Sequence, residues 1–290
     1  MPSRTLVTGA TGTVGAYLVR ELSKRGELTR AAVHSEARAW KIREANVELF
    51  EMDFSKTDTV DAALKGIERL YLLTPFAAGQ YEIAEYVVNK AKESGVKYIV
   101  RQSALGARSE AIRLLKTHRA IEKHIEASGM DYTILRPNAF MQNFVNFFAD
   151  SVRRTGKIFL PLGTATVSYI DARDIAHVAA ELLAGELKTA HFGKAYDLTG
   201  PVPITMSDVA IMISKVLGKP VQYVDVSPEE ATQGMKEAGM PDWAIEPLLE
   251  LYAYQREGKG ELVSTSVEDI TGRMPIPFEE FIKDTAASFR

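Results

Sequence analysis

Ser103, His118 and Glu122 are side chains that could hold or move a proton at a reacting centre. His118 and Glu122 are four residues apart, within side-chain reach on a helix. A carboxylate beside an imidazole raises its pKa and fixes its orientation, which suits a proton donor or a substrate-orienting group. The same spacing also describes an ion pair on a solvated helix face. A second set does no chemistry but could hold a group that does. Leu6-Val7-Thr8-Gly9-Ala10-Thr11-Gly12-Thr13-Val14-Gly15 carries three glycines at G-x-x-G-x-x-G spacing. Backbone N–H groups at a helix N-terminus bind a pyrophosphate where no Cβ intervenes. Gly9 would turn the chain off a strand, Gly12 would admit the phosphates, and Gly15 would let the helix pack closely. Thr11, Thr13 and Val14 complete that loop. The spacing departs from G-x-G-x-x-G, the usual dinucleotide form.

These residues need a sheet edge to bring them together, and strand and helix signals alternate through the first half. Strands are predicted at Thr5–Val7, Thr29–Val33, Val47–Glu51, Leu70–Leu73, Tyr98–Gln102 and Tyr132–Leu135, each short, apolar and bounded by turn residues. Helices are predicted between them at Val14–Lys24, Glu36–Glu44, Thr57–Leu64, Tyr81–Ser94 and Ile112–Ser128. Ser94-Gly95 and Ser128-Gly129 read as helix ends. Alternation of this kind implies a parallel, doubly wound α/β sheet of Rossmann type, covered on both faces. In such sheets ligands bind outside the carboxyl ends of the strands. Leu73, Thr74 and Pro75 end the fourth strand and should line the cofactor, and Ser103 ends the fifth on the same edge.

Ala195–Leu198 reads as a late strand returning to the sheet. Further on, helices dominate at Asp174–Ala184, Ser207–Leu217, Glu229–Ala238, Trp243–Tyr254 and Phe278–Ser288. Thr205-Met206-Ser207-Asp208 is a capping box, and Ser227-Pro228 starts a helix. The division expected is a dinucleotide-binding domain over 1–137 to which 166–200 returns, with 138–165 and 201–290 forming a smaller, mostly helical substrate-binding part.

The chain has 290 residues, a net charge of -3 and no cysteine. Its Lys and Arg are dispersed, which argues against a nucleic-acid partner. Absence of cysteine excludes disulfides, thiolate metal sites and cysteine nucleophiles, and suits a reducing cytoplasm. A strand beginning at Thr5 leaves no room for a signal peptide, and no apolar run reaches a membrane span of roughly 18 residues. His34, His124, His177 and His191 form no spaced ligand set, so no metal is expected. No G-x-S-x-G elbow occurs. The expected partner is a small-molecule substrate, and a homodimer is compatible with the chain.

In several segments the chain resembles the NmrA-like branch of the atypical short-chain dehydrogenase/reductases. The matching pieces are the glycine loop, Asp53, Leu72-Leu73-Thr74-Pro75, Ser103-Ala104, His118 with Glu122, and Tyr132-Thr133-Ile134-Leu135-Arg136-Pro137-Asn138. Phe140-Met141-Gln142-Asn143 and Ile170-Asp171-Ala172-Arg173-Asp174-Ile175-Ala176 continue the match. The resemblance implies an NAD(P)H-dependent oxidoreductase acting on planar acceptors such as quinones, azo compounds and triphenylmethane dyes. It also implies adenine contact by Asp53 and Phe54, and adds Pro137 and Asn138 to the cofactor set. The Tyr-x-x-x-Lys pair of the wider superfamily is missing: Leu114 and His118 stand at its two positions. Acid catalysis by a tyrosine is therefore not expected. That weakens a sugar-nucleotide epimerase reading, while a redox-sensing regulator that binds the dinucleotide without turnover stays open.

Cofactor choice should be read after the second strand, where NAD-selective sites place a carboxylate. Here the run is Val33-His34-Ser35-Glu36-Ala37-Arg38. His34, Ser35 and Arg38 favour the 2′-phosphate of NADP, whereas Glu36 speaks for NAD. Phe76, Gln80, Phe140, Met141 and Phe144 are assigned to substrate. Flat aromatic side chains leaving a sheet edge could wall a pocket for a planar acceptor, though their helical spacing equally describes core.

Overall fold

A computed structural model describes residues 4–290. In chain order the first elements are β1 (Arg4–Val7), α1 (Gly15–Lys24), β2 (Leu28–Val33), β3 (Val47–Glu51), α2 (Thr57–Leu64), β4 (Arg69–Leu72), α3 (Gln80–Glu93), β5 (Tyr98–Gln102), α4 (Arg113–Ala127) and β6 (Asp131–Pro137). Then come α5 (Ala149–Thr155), β7 (Lys157–Leu160), β8 (Thr166–Val167), α6 (Ala172–Leu183) and β9 (Lys194–Leu198). The chain closes with β10 (Ile204–Thr205), α7 (Met206–Leu217), β11 (Gln222–Asp225), α8 (Pro228–Glu237), α9 (Asp242–Tyr254), α10 (Ser266–Thr271) and α11 (Phe278–Thr285).

Two compact units result. Among the described residues the first comprises 4–108, 116–136 and 172–197, and the second 109–115, 137–171 and 198–290. Against the sequence-based division, 109–115, 137, 166–171 and 198–200 cluster with the second unit.

The first unit is the expected doubly wound sheet, ordered β3-β2-β1-β4-β5-β6-β9. All strand pairs from β3 through β6 are parallel. Every residue of β4 and β5 is buried, as a strand covered on both faces requires. Leu6, Leu70, Leu72 and Ile99 share one core with Val60 and Leu64 of α2, Val87 and Val88 of α3, and Ile121 and Ile125 of α4. Each fully buried aliphatic side chain contributes about 1.5–3 kcal/mol. The sheet's other face is covered by α1 and α6, which pack on each other. The α6 C-terminus is tied to β4 by Arg69, which donates to the carbonyls of Leu183 and Gly185. Order reverses between β1 and β4, and there the loops after the two strands diverge to form the ligand crevice of such sheets.

One helix prediction fails. Glu36–Glu44 folds as two 3₁₀ turns, Glu36–Arg38 and Trp40–Ile42, instead of a helix. Its periodic side chains satisfy short turns equally well, and Ile42 is its one buried large aliphatic residue. Both capping boxes form, Thr205 with Asp208 and Ser227 with Glu230.

The second unit has its own core around Phe144, Tyr169, Met206, Ile213, Phe278 and Phe281. It carries two small sheets, β7 with β11 in parallel and β8 with β10 antiparallel. Its strands, two to four residues long, were not among those predicted from sequence.

Candidate active site

The glycine loop stands at the carboxyl end of β1, where a dinucleotide site requires it. Gly9 adopts φ +63°, a left-handed turn that glycine enters without strain. Gly15 is constrained more tightly. A Cβ there would lie 2.1 Å from the Gly9 carbonyl oxygen, so the close approach is to the loop itself and not, as expected, to the sheet. At Gly12 a Cβ would stand 3.1 Å from the same oxygen, while the residue is exposed to an incoming ligand. The helix N-cap, Val14, has no side-chain capping bond, and no acidic residue lies in the first turn. The Ala16 N–H is taken by the Gly12 carbonyl at 3.1 Å and the Gly12 N–H by the Gly9 carbonyl at 2.9 Å, and the other first-turn N–H groups carry the positive end of the helix dipole. An anion is the partner that fits them, so the loop passes the test for a dinucleotide pyrophosphate.

Thr8, not singled out from sequence, staples this loop to the end of β4. Its Oγ1 donates to the Leu73 carbonyl at 2.9 Å, and the Leu73 N–H donates to Thr8 Oγ1 at 2.8 Å. Below it lies Arg101, fully buried, donating to the Leu72 carbonyl at 3.0 Å and to Thr74 Oγ1 at 3.2 Å. Gln80 also donates to Thr74 Oγ1, at 3.1 Å. Gln80 is thus buried with one amide N–H spent in the support of β4, which speaks against its assignment to substrate. Thr74 likewise turns its hydroxyl inward, so what it offers at the edge is backbone, alongside half-buried Leu73 and exposed Pro75.

His34 is exposed and Ser35 half-buried just beyond β2; the side chain of Arg38 lies outside the described residues. Asp53 builds its own turn: its Oδ1 accepts the Ser55 N–H at 2.9 Å and the Ser55 hydroxyl at 2.7 Å. The Ser55 backbone bond first, then its hydroxyl, lowers the Asp53 pKa. Phe54 packs against the first unit's core.

Ser103 and Glu122 form the centre of the second cluster. Glu122 is fully buried and takes four hydrogen bonds. Ser103 Oγ donates at 2.6 Å, Arg136 Nε and Nη2 at 2.8 and 2.7 Å, and Arg119 Nη1 at 2.9 Å. Burial alone would raise its pKa, but the bonds from Arg136, Ser103 and Arg119 outweigh that and hold the carboxyl below the ordinary range.

His118 is therefore not Glu122's partner. Its Nδ1 is buried with no hydrogen-bond partner. Burial, then the Arg101 charge, pushes its pKa down to about 3 against the opposing pull of Glu122. The expectation of a raised pKa is corrected in direction: burial of Nδ1 and the Arg101 charge disfavour the imidazolium, while the residue as a whole is half-buried.

Apart from Phe76 of the first unit, the remaining assignments belong to the second unit, and several are overturned. Asn138 spends its Nδ2 on Ser168 Oγ at 2.9 Å and the Gly260 carbonyl at 2.8 Å, and its Oδ1 accepts the Ala139 N–H. Pro137 is buried beside it. Asn138 is thereby a structural residue of its own unit, with both amide hydrogens spent inside it. Met141 and Phe144 are core residues, 1% and 2% exposed. The Phe144 ring meets Tyr169 and Phe278 edge-on at 5.0 and 5.1 Å. Neither can wall a pocket. Phe140 is half-buried, and Phe76 is 43% exposed.

The profile of the NmrA-like family matches residues 1–282. This chain belongs to the NmrA-like family. The NAD(P)H azoreductase of Xenophilus azovorans is 34% identical over 285 residues, covering 98% of each chain. The Escherichia coli NADPH-dependent quinone oxidoreductase complexed with NADPH superposes with a TM-score of 0.86 at 25% identity, over 97% of this chain and 99% of that one. The Citrobacter sp. triphenylmethane reductase complexed with NADP(H) gives 0.85 at 26% identity, with the same coverage. As a member of this family the chain keeps the sheet and the glycine loop. Among the described residues no helix is long and apolar enough to cross a membrane.

Proposed function

We propose that this chain is an NADPH-dependent reductase that passes hydride to planar electron acceptors such as azo compounds and quinones. The observation that carries the reading is the uncapped glycine-loop helix at the carboxyl end of β1, in a chain where Leu114 stands at the position of a tyrosine acid and the His118 pKa is pushed down. When bound, NADPH supplies the hydride. An acceptor that is already electrophilic needs no protonation before it takes one, so binding and orientation are the protein's main contributions. Thr11, Gly12, Thr13, Val14 and Gly15 would hold the pyrophosphate. His34, Ser35 and Arg38 would meet the 2′-phosphate, and Leu73, Thr74, Pro75 and Ser103 would border the rest of the dinucleotide. The names and bound cofactors of the relatives support this reading. A cytoplasmic setting accompanies it, supported by the absence of cysteine.

The test is NADPH and NADH oxidation measured against an azo dye, a quinone and an aldehyde. Turnover of the dye and quinone with NADPH preferred is the expected result. Tight dinucleotide binding with no oxidation would replace the reductase by a redox-sensing regulator.

A further inference from the structure

Buried polar contacts in this site decide more than its shape, because a hydroxyl has one hydrogen and two lone pairs. Ser103 is 4% exposed, its N–H donates to the Leu135 carbonyl at 2.7 Å, and its Oγ stands 2.6 Å from Glu122 Oε1. Glu122 also receives both donors of the Arg136 fork and one from Arg119. A carboxylate so surrounded by guanidinium N–H groups is ionised and can only accept. The hydrogen between Ser103 and Glu122 therefore belongs to Ser103 and points at Glu122. What Ser103 retains for a ligand is lone pairs.

We propose that Glu122 is a positioning residue that fixes Ser103 as a hydrogen-bond acceptor for the carboxamide N–H of a bound nicotinamide. The inference rests on the NADPH reading above and adds the polarity of one contact to it. Ser103 directly follows β5, two strands from β1 and its glycine loop. That is on the order of 10 Å along the sheet edge at ordinary strand spacing, a span suited to a nicotinamide riboside. The nicotinamide offers a carbonyl and an NH₂. A serine free to rotate could serve either, but one whose hydrogen is committed can serve only the NH₂. The buried Nδ1 of His118 has no hydrogen-bond partner, so it is not what holds Glu122. Arg136 and Arg119 gain a second meaning: they keep Glu122 ionised and so keep Ser103 turned.

The probe is the 3-acetylpyridine analogue of NADP⁺, in which a methyl ketone replaces the amide. It keeps the carbonyl and loses the N–H. Affinities of NADP⁺ and the analogue are measured by calorimetry on the intact chain. The wild type should prefer NADP⁺ by about tenfold, the scale of one hydrogen bond. Ser103→Ala should lose most of that preference, by weakening NADP⁺ and leaving the analogue unchanged, and Ser103→Thr should retain it. Equal weakening of both ligands in Ser103→Ala would overturn the proposal, because it would mean that Ser103 donates to the carbonyl or only packs. Glu122→Gln should abolish the preference by releasing the hydroxyl, but it strips Arg136 of half its partner and risks the fold. The wild type supplies the second measurement. With Glu122 ionised throughout, the preference should stay constant from pH 8 to pH 5. A preference that titrates away within that range would overturn the role of Glu122. Failure of the wild type to bind either dinucleotide would instead sink the NADPH reading itself.

Discussion

At the scale of single residues, the informative outcome concerns His118. A spacing of four from Glu122 was legible in the sequence, and so was the pair's helix. What no spacing could reveal is that Arg136, fourteen positions from Glu122, takes the carboxylate with both arms of its fork. Competition for a buried acceptor is decided in three dimensions, and a guanidinium beats an imidazole there because its charge and two parallel donors match the carboxylate. The consequence for activity can be measured. His118→Gln should lower kcat/KM by less than about tenfold, well short of the hundred- to ten-thousand-fold of a general acid. Any limb of kcat/KM between pH 6 and 8 should be the same in the wild type and in His118→Gln. A hundredfold loss, or a rate that falls as pH rises through 6.5 in the wild type alone, would restore His118 as an acid.

At the scale of elements, Gly15 offers the sharpest test of how the loop and α1 fit together. Gly15→Ala forces a Cβ against the Gly9 carbonyl, and the loop must move. Overpacking of this kind costs about 1–3 kcal/mol. Thermal denaturation should show that loss, and NADP⁺ affinity should fall with it; an unchanged melting temperature and affinity would mean that the loop yields freely. Gly12→Val is the complementary case, expected to leave the helix folded and block the phosphates, with calorimetry as the readout. Elements of the first unit were legible because each strand is a short apolar run between turn residues. Ser94-Gly95 and Ser128-Gly129 mark true helix ends, with Gly95 and Gly129 both at positive φ. The segment 36–44 was not legible, since short 3₁₀ turns and an amphipathic helix share the same local pattern. The stretch from Phe140 to Phe148 misled for a related reason. Helical periodicity shows that one face is apolar but not what covers it, and Phe144 is covered by Tyr169 and Phe278, which are distant in sequence.

For the molecule as a whole, acid should be the destabilising direction. His118 has a folded pKa near 3, below its unfolded value of about 6.5, so the unfolded chain binds its proton first as pH falls. Stability from this group is complete above about 6.5 and is lost progressively toward 3. Glu122, also lowered, adds a loss at more acid pH. Urea midpoints measured from pH 7 to pH 4 should fall steadily, and His118→Gln should flatten the slope above pH 5 by up to about 1.4 kcal/mol per pH unit. An unaltered slope would mean that the ring is solvated enough to protonate in place. NADP⁺ at a hundred times its Kd should add about 2.7 kcal/mol at neutral pH. The Arg69 tie to Leu183 and Gly185 bears on a different matter, the order in which the chain leaves the ribosome. β4 emerges more than a hundred residues before the helix whose end it caps, and α6 is part of the cover on one face of the central sheet. Until translation has passed residue 185, that face has no α6, and until it has passed 198 the sheet lacks its last edge strand. A nascent chain paused near residue 140 would thus carry a nearly complete nucleotide-binding sheet with an apolar side open. Such an intermediate is a natural client for chaperones, and synonymous codon changes that lengthen the pause should lower soluble yield without altering the finished protein.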